Sequence, residues 1–176
     1  MHLRTAEPPD ALAVARVHVR SWQAAYRGLI ADAYLDQLHP EDRAQRYDFS
    51  HTDASRPHTI VAVDAGTIVG FATTAPSRDP ALSGHGELCA LYVDPNQWSK
   101  GFGVALVAAA RARLFQTGFR EAFLWVLVGN TRADRFYRND GWSPAGERRS
   151  ETLWGITLDE ARYRRILTSQ STVRVH

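Results

Sequence analysis

The sequence predicts an α+β fold, and three observations carry that expectation. Two β-branched runs, Thr59-Ile-Val-Ala-Val63 and Thr67-Ile-Val-Gly-Phe-Ala-Thr73, flank Asp64-Ala-Gly66 and read as an antiparallel hairpin. A nearly continuous apolar run, Glu121-Ala-Phe-Leu-Trp-Val-Leu-Val128, has the pattern of a strand covered on both faces. Between them, the stretch from Leu91 to Leu106 leaves an apolar strand-like run at Pro95 and enters a helix through Gly101 and Gly103. Strands therefore occur both paired in a hairpin and alternating with helices, which is the mixture that defines the class.

The elements follow in chain order. His2 to Thr5 reads as a short first strand, and Glu7-Pro-Pro-Asp10 opens a helix to about Ala25, with Asp10 as its N-cap and Gly28 as its stop. Asp32 to Leu38 and Pro40 to about Phe49 read as two short helices, the second with Glu41 and Asp42 in the turn where the helix dipole favours negative charge. After the hairpin comes a polar loop from Pro76 to Gly84, then a strand from Gly86 to Val93. A helix rich in alanine runs from Gly101 to about Gln116 and ends at Gly118, the position where a left-handed residue closes a helix. Beyond the apolar strand, Thr131 to Asn139 is helical, Gly141 closes it, and Ser143 to Arg149 and about Ile156 to Ile166 are the last two strands. No repeat or linker interrupts this order, so residues 1–167 read as one domain and 168–176 as a polar tail. Val173 and Val175 alternate with polar residues in that tail, a pattern that pairs with a sheet edge, so a homodimer is expected.

Composition narrows the partners. The chain of 176 residues carries a net charge of only +2, and its basic residues, Lys100 and the arginines, are scattered rather than striped, which argues against a nucleic-acid partner. No run approaches the roughly 20 apolar residues of a membrane span, and the N-terminus lacks the apolar region of a signal peptide, so no membrane is expected and the location reads as cytoplasmic. The lone Cys89 excludes an internal disulfide and reads as a buried, inert thiol. The histidines lack the spacing of a metal site, so no metal is expected, and no Gly-x-Ser-x-Gly elbow is present.

The glycine loop carries the chemistry. Without a Cβ, Gly101 and Gly103 let main-chain N–H groups approach a phosphate, and the helix behind them aims unsatisfied N–H groups and a positive dipole end at the same place. A Walker loop is excluded because Lys100 precedes the glycines, and a dinucleotide fingerprint because Leu106 stands where its third glycine belongs. Val93, Pro95, Gly101 and Gly103 instead resemble, in type and spacing, the acyl-CoA loop of the GNAT superfamily of N-acetyltransferases. Trp98 stands where that pattern has Gln or Arg, with Gln97 one place early. A second segment, Asn130-Thr-Arg-Ala-Asp-Arg-Phe-Tyr-Arg-Asn-Asp-Gly-Trp142, is similar to the superfamily's Asn-x-x-Ala-x-x-Phe-Tyr-x-x-x-Gly-Phe/Trp motif at every anchor. The element order agrees with the resemblance over roughly residues 3 to 166.

The resemblance implies a mixed, mostly antiparallel sheet of six or seven strands with helices on both faces, splayed between the strand ending at Val93 and that ending at Val128. It implies acetyl-CoA as co-substrate and direct transfer of acetyl to a primary amine, on a small molecule or a protein, in a ternary complex. Leu91, Tyr92, Val93, Trp98, Ser99, Lys100, Gly101, Phe102, Gly103, Val104, Asn130, Phe136 and Tyr137 are the expected acyl-CoA contacts. Tyr137 is the expected acid for the departing thiolate, and Glu87, 14 residues before Gly101, the candidate base, acting directly or through water, with a water chain alone as the alternative. On the first helix, His18, Trp22 and Tyr26 recur at i, i+4 and i+8 beside the core stripe, so Trp22 and Tyr26, with Glu87, form the expected acceptor site. A CoA-binding sensor without turnover is the alternative, and an acyltransferase acting on aminoacyl-tRNA would want a denser basic face.

Overall fold

The computed structural model describes residues 1–169. Seven strands form one sheet: β1 His2–Thr5, β2 His58–Asp64, β3 Thr67–Pro76, β4 Gly86–Val93, β5 Glu121–Leu127, β6 Ser143–Leu153 and β7 Ile156–Ile166, in the order β1-β2-β3-β4-β5-β7-β6. Every neighbouring pair is antiparallel except β4 with β5. Among the described residues there are five α-helices: α1 Ala11–Ala25, α2 Asp32–Leu35, α3 Pro40–Ala44, α4 Phe102–Gln116 and α5 Thr131–Asn139.

The β2–β3 hairpin closes at Asp64 paired with Thr67, with Ala65 and Gly66 both at positive φ, the turn whose twist matches the strands. Alternation along β2 then divides the core. Val61 joins Val14, Val17 and Phe71 under α1, whereas Ala62 joins Leu106, Val107 and Ala110 under α4. Helices therefore cover both faces. Helix α4 ends as expected, with Phe119 N–H on the Leu114 carbonyl and Gly118 N–H on the Phe115 carbonyl, the paired bonds that a left-handed Gly118 makes possible.

Several elements differ from the sequence reading. Asp10 does not cap α1 with its side chain; its carboxylate accepts from Glu7 N–H at 2.8 Å and pairs with Arg4, so it closes the 3₁₀ turn Pro8–Asp10 that precedes the helix. Helix α2 stops at Leu35 rather than Leu38, because His39 precedes Pro40 and is held extended at φ −116°, ψ 127°. Helix α3 stops at Ala44 rather than near Phe49, and Tyr47 and Phe49 turn in to pack beside Phe71. Pro76 belongs to β3, and strand β6 extends to Leu153 instead of ending at Arg149. The expected pairing of Val173 and Val175, and with it the homodimer, lies outside the described residues. Among the described residues no helix is long and apolar enough to cross a membrane, and no group of three or more His, Cys, Asp or Glu is placed to hold a metal ion.

Among the described residues, His18 is the one histidine buried in the core. Its Nδ1 lies 2.5 Å from the Tyr47 hydroxyl and its ring stacks on Tyr92 at 4.4 Å. Burial, with the Arg43 charge adding to it, holds its pKa well below the ordinary 6.5. The folded protein thus keeps His18 neutral where the unfolded chain takes a proton, so stability is full above pH 6.5 and is lost as pH falls below it. One such proton gives a slope of about 1.4 kcal/mol per pH unit. Melting temperatures recorded between about pH 7.5 and 5 should fall accordingly, and the fall should be shallower in His18→Gln; identical pH profiles would remove His18 from the account.

Candidate active site

Two local features open the sheet. Strands β4 and β5 pair only at Gly86 with Ala122 and at Glu87 with Phe123. Just past that point, β3 pairs Thr74 with Leu88 and Thr73 with Ala90, so Cys89 is an extra residue in β4. A bulge leaves such a residue unpaired in the ladder and increases the local twist, which turns β4 away from β5. It also breaks the alternation of side chains. Leu88 packs toward α4, whereas Ala90 and Tyr92 pack toward α1. The splay expected between these strands is present, and it leaves a cleft of about 730 Å³ lined from both faces of the sheet.

The α4 side of the cleft is built by the glycine loop. Asp94, 7% exposed, pairs with Arg20 and accepts from Asn96 N–H at 3.0 Å, fixing the 3₁₀ turn Pro95–Gln97. Trp98 then folds back, its indole N–H donating to the Val93 carbonyl at 2.8 Å, and Ser99 adopts the left-handed φ of 63°. Gly101 is left-handed as well, at φ 88°, and a Cβ there would meet nothing within 4 Å. The first intrahelical bond of α4 runs from Ala105 N–H to the Gly101 carbonyl, so the N–H groups of Phe102, Gly103 and Val104 head the helix without intrahelical partners. Free N–H groups at a helix N-terminus are a ready acceptor of negative charge.

Helix α5 supplies the adjoining wall. The Asn130 side chain accepts from Ala133 N–H at 3.1 Å and caps the helix, leaving its amide nitrogen for the cleft it lines. Arg132 sets its guanidinium 3.7 Å over the Trp98 ring, and Arg132 and Arg135 both line the cleft. Phe136 and Tyr137 lie deeper, and Tyr137 packs edge-on against Phe136 and Trp142. Burial pushes the Tyr137 phenol far up, with the charges of Tyr92 and Asp140 adding to it, so it holds its proton at any ordinary pH.

The α1 side is different in chemistry. Glu87 enters from β4, Trp125 from β5, Arg149 and Glu151 from β6, Leu158 and Glu160 from β7, and Trp22 and Tyr26 from α1. Burial raises the Glu87 pKa, opposed by Arg149 and Arg78 and reinforced by Glu160 and Glu151. Glu160, 8% exposed, accepts from Arg149 Nε at 2.8 Å, and the Arg149 guanidinium lies 4.3 Å over Trp125. The Tyr26 phenol is raised well above 10.0, chiefly by burial and next by Tyr92.

Fourteen of the sixteen residues named for the site from the sequence line this one cleft: Trp22, Tyr26, Glu87, Leu91, Tyr92, Val93, Trp98, Ser99, Gly101, Gly103, Val104, Asn130, Phe136 and Tyr137. The other two differ. Phe102 is 5% exposed and sits in the core under α4, so only its main chain is available. Lys100 is exposed and donates to Gln97 at 3.0 Å, away from the lining. Cys89 is not the buried residue expected; the bulge exposes it and it lines the cleft, though the enclosing walls and the Glu87 charge push its pKa up. The cleft also gathers Arg132, Arg135, Arg149, Glu151 and Glu160, none of which the sequence singled out.

Trp22 and Tyr26 do more than line the cleft. At 3% and 8% exposure they pack with Ile30, Leu35 and Leu158, so replacing Trp22 with alanine is expected to cost about 3 to 5 kcal/mol of stability. Tyr26→Phe keeps the packing and removes one hydroxyl, and is expected to raise the acceptor KM with the acetyl-CoA Kd unchanged. Steady-state kinetics that leave both constants alone would restrict Tyr26 to the core.

Comparison with known proteins agrees with this geometry. A model of the acetyltransferase (GNAT) family matches residues 19–142. An uncharacterized N-acetyltransferase of Bacillus subtilis (strain 168), YuaI, is 33% identical over 129 residues, 73% of this chain and 72% of that protein. The fold is shared with the ribosomal-protein-alanine N-acetyltransferase of Brucella melitensis at a TM-score of 0.72 and 22% identity, covering 95% of this chain and 100% of that one. It is shared also with the PaiA N-acetyltransferase of Thermoplasma acidophilum, solved in complex with coenzyme A, at a TM-score of 0.66 and 20% identity, covering 94% of this chain and 98% of that one. Matched over residues 19–142 by the family model, and 33% identical to a named N-acetyltransferase across 73% of its length, the chain belongs to the acetyltransferase (GNAT) family.

Proposed function

We propose that the protein transfers acetyl from acetyl-CoA to a primary amine by direct attack within a ternary complex. The observation that carries this reading is the cleft through the sheet, which joins a backbone phosphate cradle on the α4 side to a carboxylate-lined wall on the α1 side. Main-chain N–H groups of Phe102, Gly103 and Val104 hold the diphosphate, Arg132 and Arg135 add positive charge, and the Asn130 amide nitrogen donates to the pantetheine arm. Main-chain groups near the β4 bulge, from Leu91 to Val93, hold the thioester carbonyl; donors aimed there in advance contribute about 3 to 4 kcal/mol to such reactions. Glu87 takes the proton of the attacking amine, and Tyr137, protonated at working pH, donates its proton to the departing sulfur and is reprotonated from solvent as Glu87 releases its own.

Purified protein given acetyl-CoA and a panel of amines should release free CoA thiol with at least one of them. Tight acetyl-CoA binding with no thiol released from any amine would favour the sensor reading instead.

The base role has its own signature. Because burial raises the Glu87 pKa above 4.5, kcat/KM for the amine should fall as pH drops through a value higher than an ordinary carboxylate's. Glu87→Gln should lower kcat/KM and remove that acidic limb, and an unaltered pH profile would assign the proton to another group.

A further inference from the structure

The acceptor can be narrowed by charge and by access, an inference that rests on the acetyltransferase reading. Among the described lining residues, the charged groups divide by side. Arg132 and Arg135 stand by the phosphate cradle with no carboxylate beside them on that wall. On the acceptor side, Arg78 and Asp79 on the loop after β3 cancel, and Glu87, Glu151 and Glu160 face the single cation Arg149. The surplus there is two negative charges. Arg149 is already committed, with Nε 2.8 Å from Glu160, a terminal nitrogen 3.6 Å from Glu151, and its face on Trp125. An amine has to be neutral when it attacks, and the carboxylate that takes its proton loses one of the two surplus charges. The other remains on the cleft wall, where Glu151 is 41% exposed and attracts a cation through a charge that water and salt partly screen. A second cationic group on the acceptor matches it.

Access limits the size of that acceptor. The Tyr34 hydroxyl donates to the Trp154 carbonyl at 2.6 Å, joining α2 to the β6–β7 turn. Trp154 holds a left-handed φ of 53°, unfavourable for so bulky a residue, because it is clamped between Trp22 at 4.3 Å and the Arg43 guanidinium at 4.4 Å. Trp22, Tyr26, Ile30, Leu35 and Leu158 fill the space beneath. An extended chain cannot pass between α2 and that turn without unpacking this cluster. Arg78, Asp79, Glu151 and Leu153 line the acceptor half away from that cluster.

We propose that the acceptor is a short amine with a second positive charge, held by Glu151 and Glu160. The test compares butylamine, diaminobutane and a short peptide with an N-terminal alanine, by CoA thiol release from acetyl-CoA. The expected result is a kcat/KM about tenfold higher for the diamine than for the monoamine, equivalent to about 1.4 kcal/mol, with the peptide slowest. Glu151→Gln and raised salt should both collapse that ratio toward one. Equal values for the two amines, or the peptide as best acceptor, would overturn the proposal while leaving the acetyltransferase reading intact. If no amine releases thiol, that reading fails, and calorimetry of diaminobutane with the CoA-loaded protein then decides the site: binding weakened by Glu151→Gln supports it, and no binding overturns it.

Discussion

Gly101→Val is expected to abolish acetyl-CoA binding, lowering affinity by more than about a hundredfold, a loss of roughly 2.7 kcal/mol or more. Gly101 has the left-handed φ of 88° at the N-terminus of α4, and a Cβ placed there would meet no protein atom within 4 Å. The added isopropyl group therefore projects into the space where the phosphates are proposed to lie, and it displaces the ligand rather than the protein. The backbone strain of a non-glycine residue in this conformation is about 1 to 2 kcal/mol, which in a chain of this size lowers the melting temperature by about 2 to 8 °C. Calorimetry with acetyl-CoA and a thermal melt separate the two effects, and unchanged affinity in a folded variant would remove the loop from the acyl-CoA site. Gly103 is a poorer probe, since a Cβ there would come within 3.3 Å of the Phe136 ring and disturb the packing of α4 on α5. Lys100→Ala should cost far less than either, because its ammonium is exposed and any charge it offers a phosphate is screened.

Tyr137→Phe is expected to lower kcat by about ten- to a hundredfold, the lower part of the range for acid catalysis, with the acetyl-CoA Kd nearly unchanged. The ring packs between Phe136 and Trp142, and phenylalanine fills that space without a cavity. Only the hydroxyl is lost. Its pKa is far above ordinary pH, so the wild-type group is protonated throughout the working range and its loss should scale the rate without altering the pH profile. That separates it from Glu87, whose replacement should change the profile itself. An equal kcat in the variant would make Tyr137 a packing residue of α5.

The site was legible where residue type and local spacing carry the chemistry. The glycines of the loop need no neighbours to announce a close backbone approach, and Ala133, Phe136 and Tyr137 share one face of a short helix that Asn130 caps. Glu151 and Glu160 were not legible. They lie in strands whose exposed, charged sequence looks like a solvated surface, and Glu160 enters the cleft only because β7 pairs with β5, aligning it with Leu127 beyond the point where β4 has turned away.

What the sequence by itself determined is the order of elements, the hairpin, the glycine loop with its helix, and hence the family, because each is a property of short-range pattern: β-branching, periodicity near 3.6, and paired glycines between a strand and a helix. Tertiary structure alone decided the bulge at Cys89, which depends on how β3 and β4 set their register against two different cores. It also decided that Trp22 serves the core as well as the cleft, and that Trp154 closes one end by docking on it. The Trp22–Trp154 contact joins residues more than a hundred positions apart, and the bulge answers to helices α1 and α4 that lie outside the β3–β4 pair, so no local pattern encodes which side chains meet in either case.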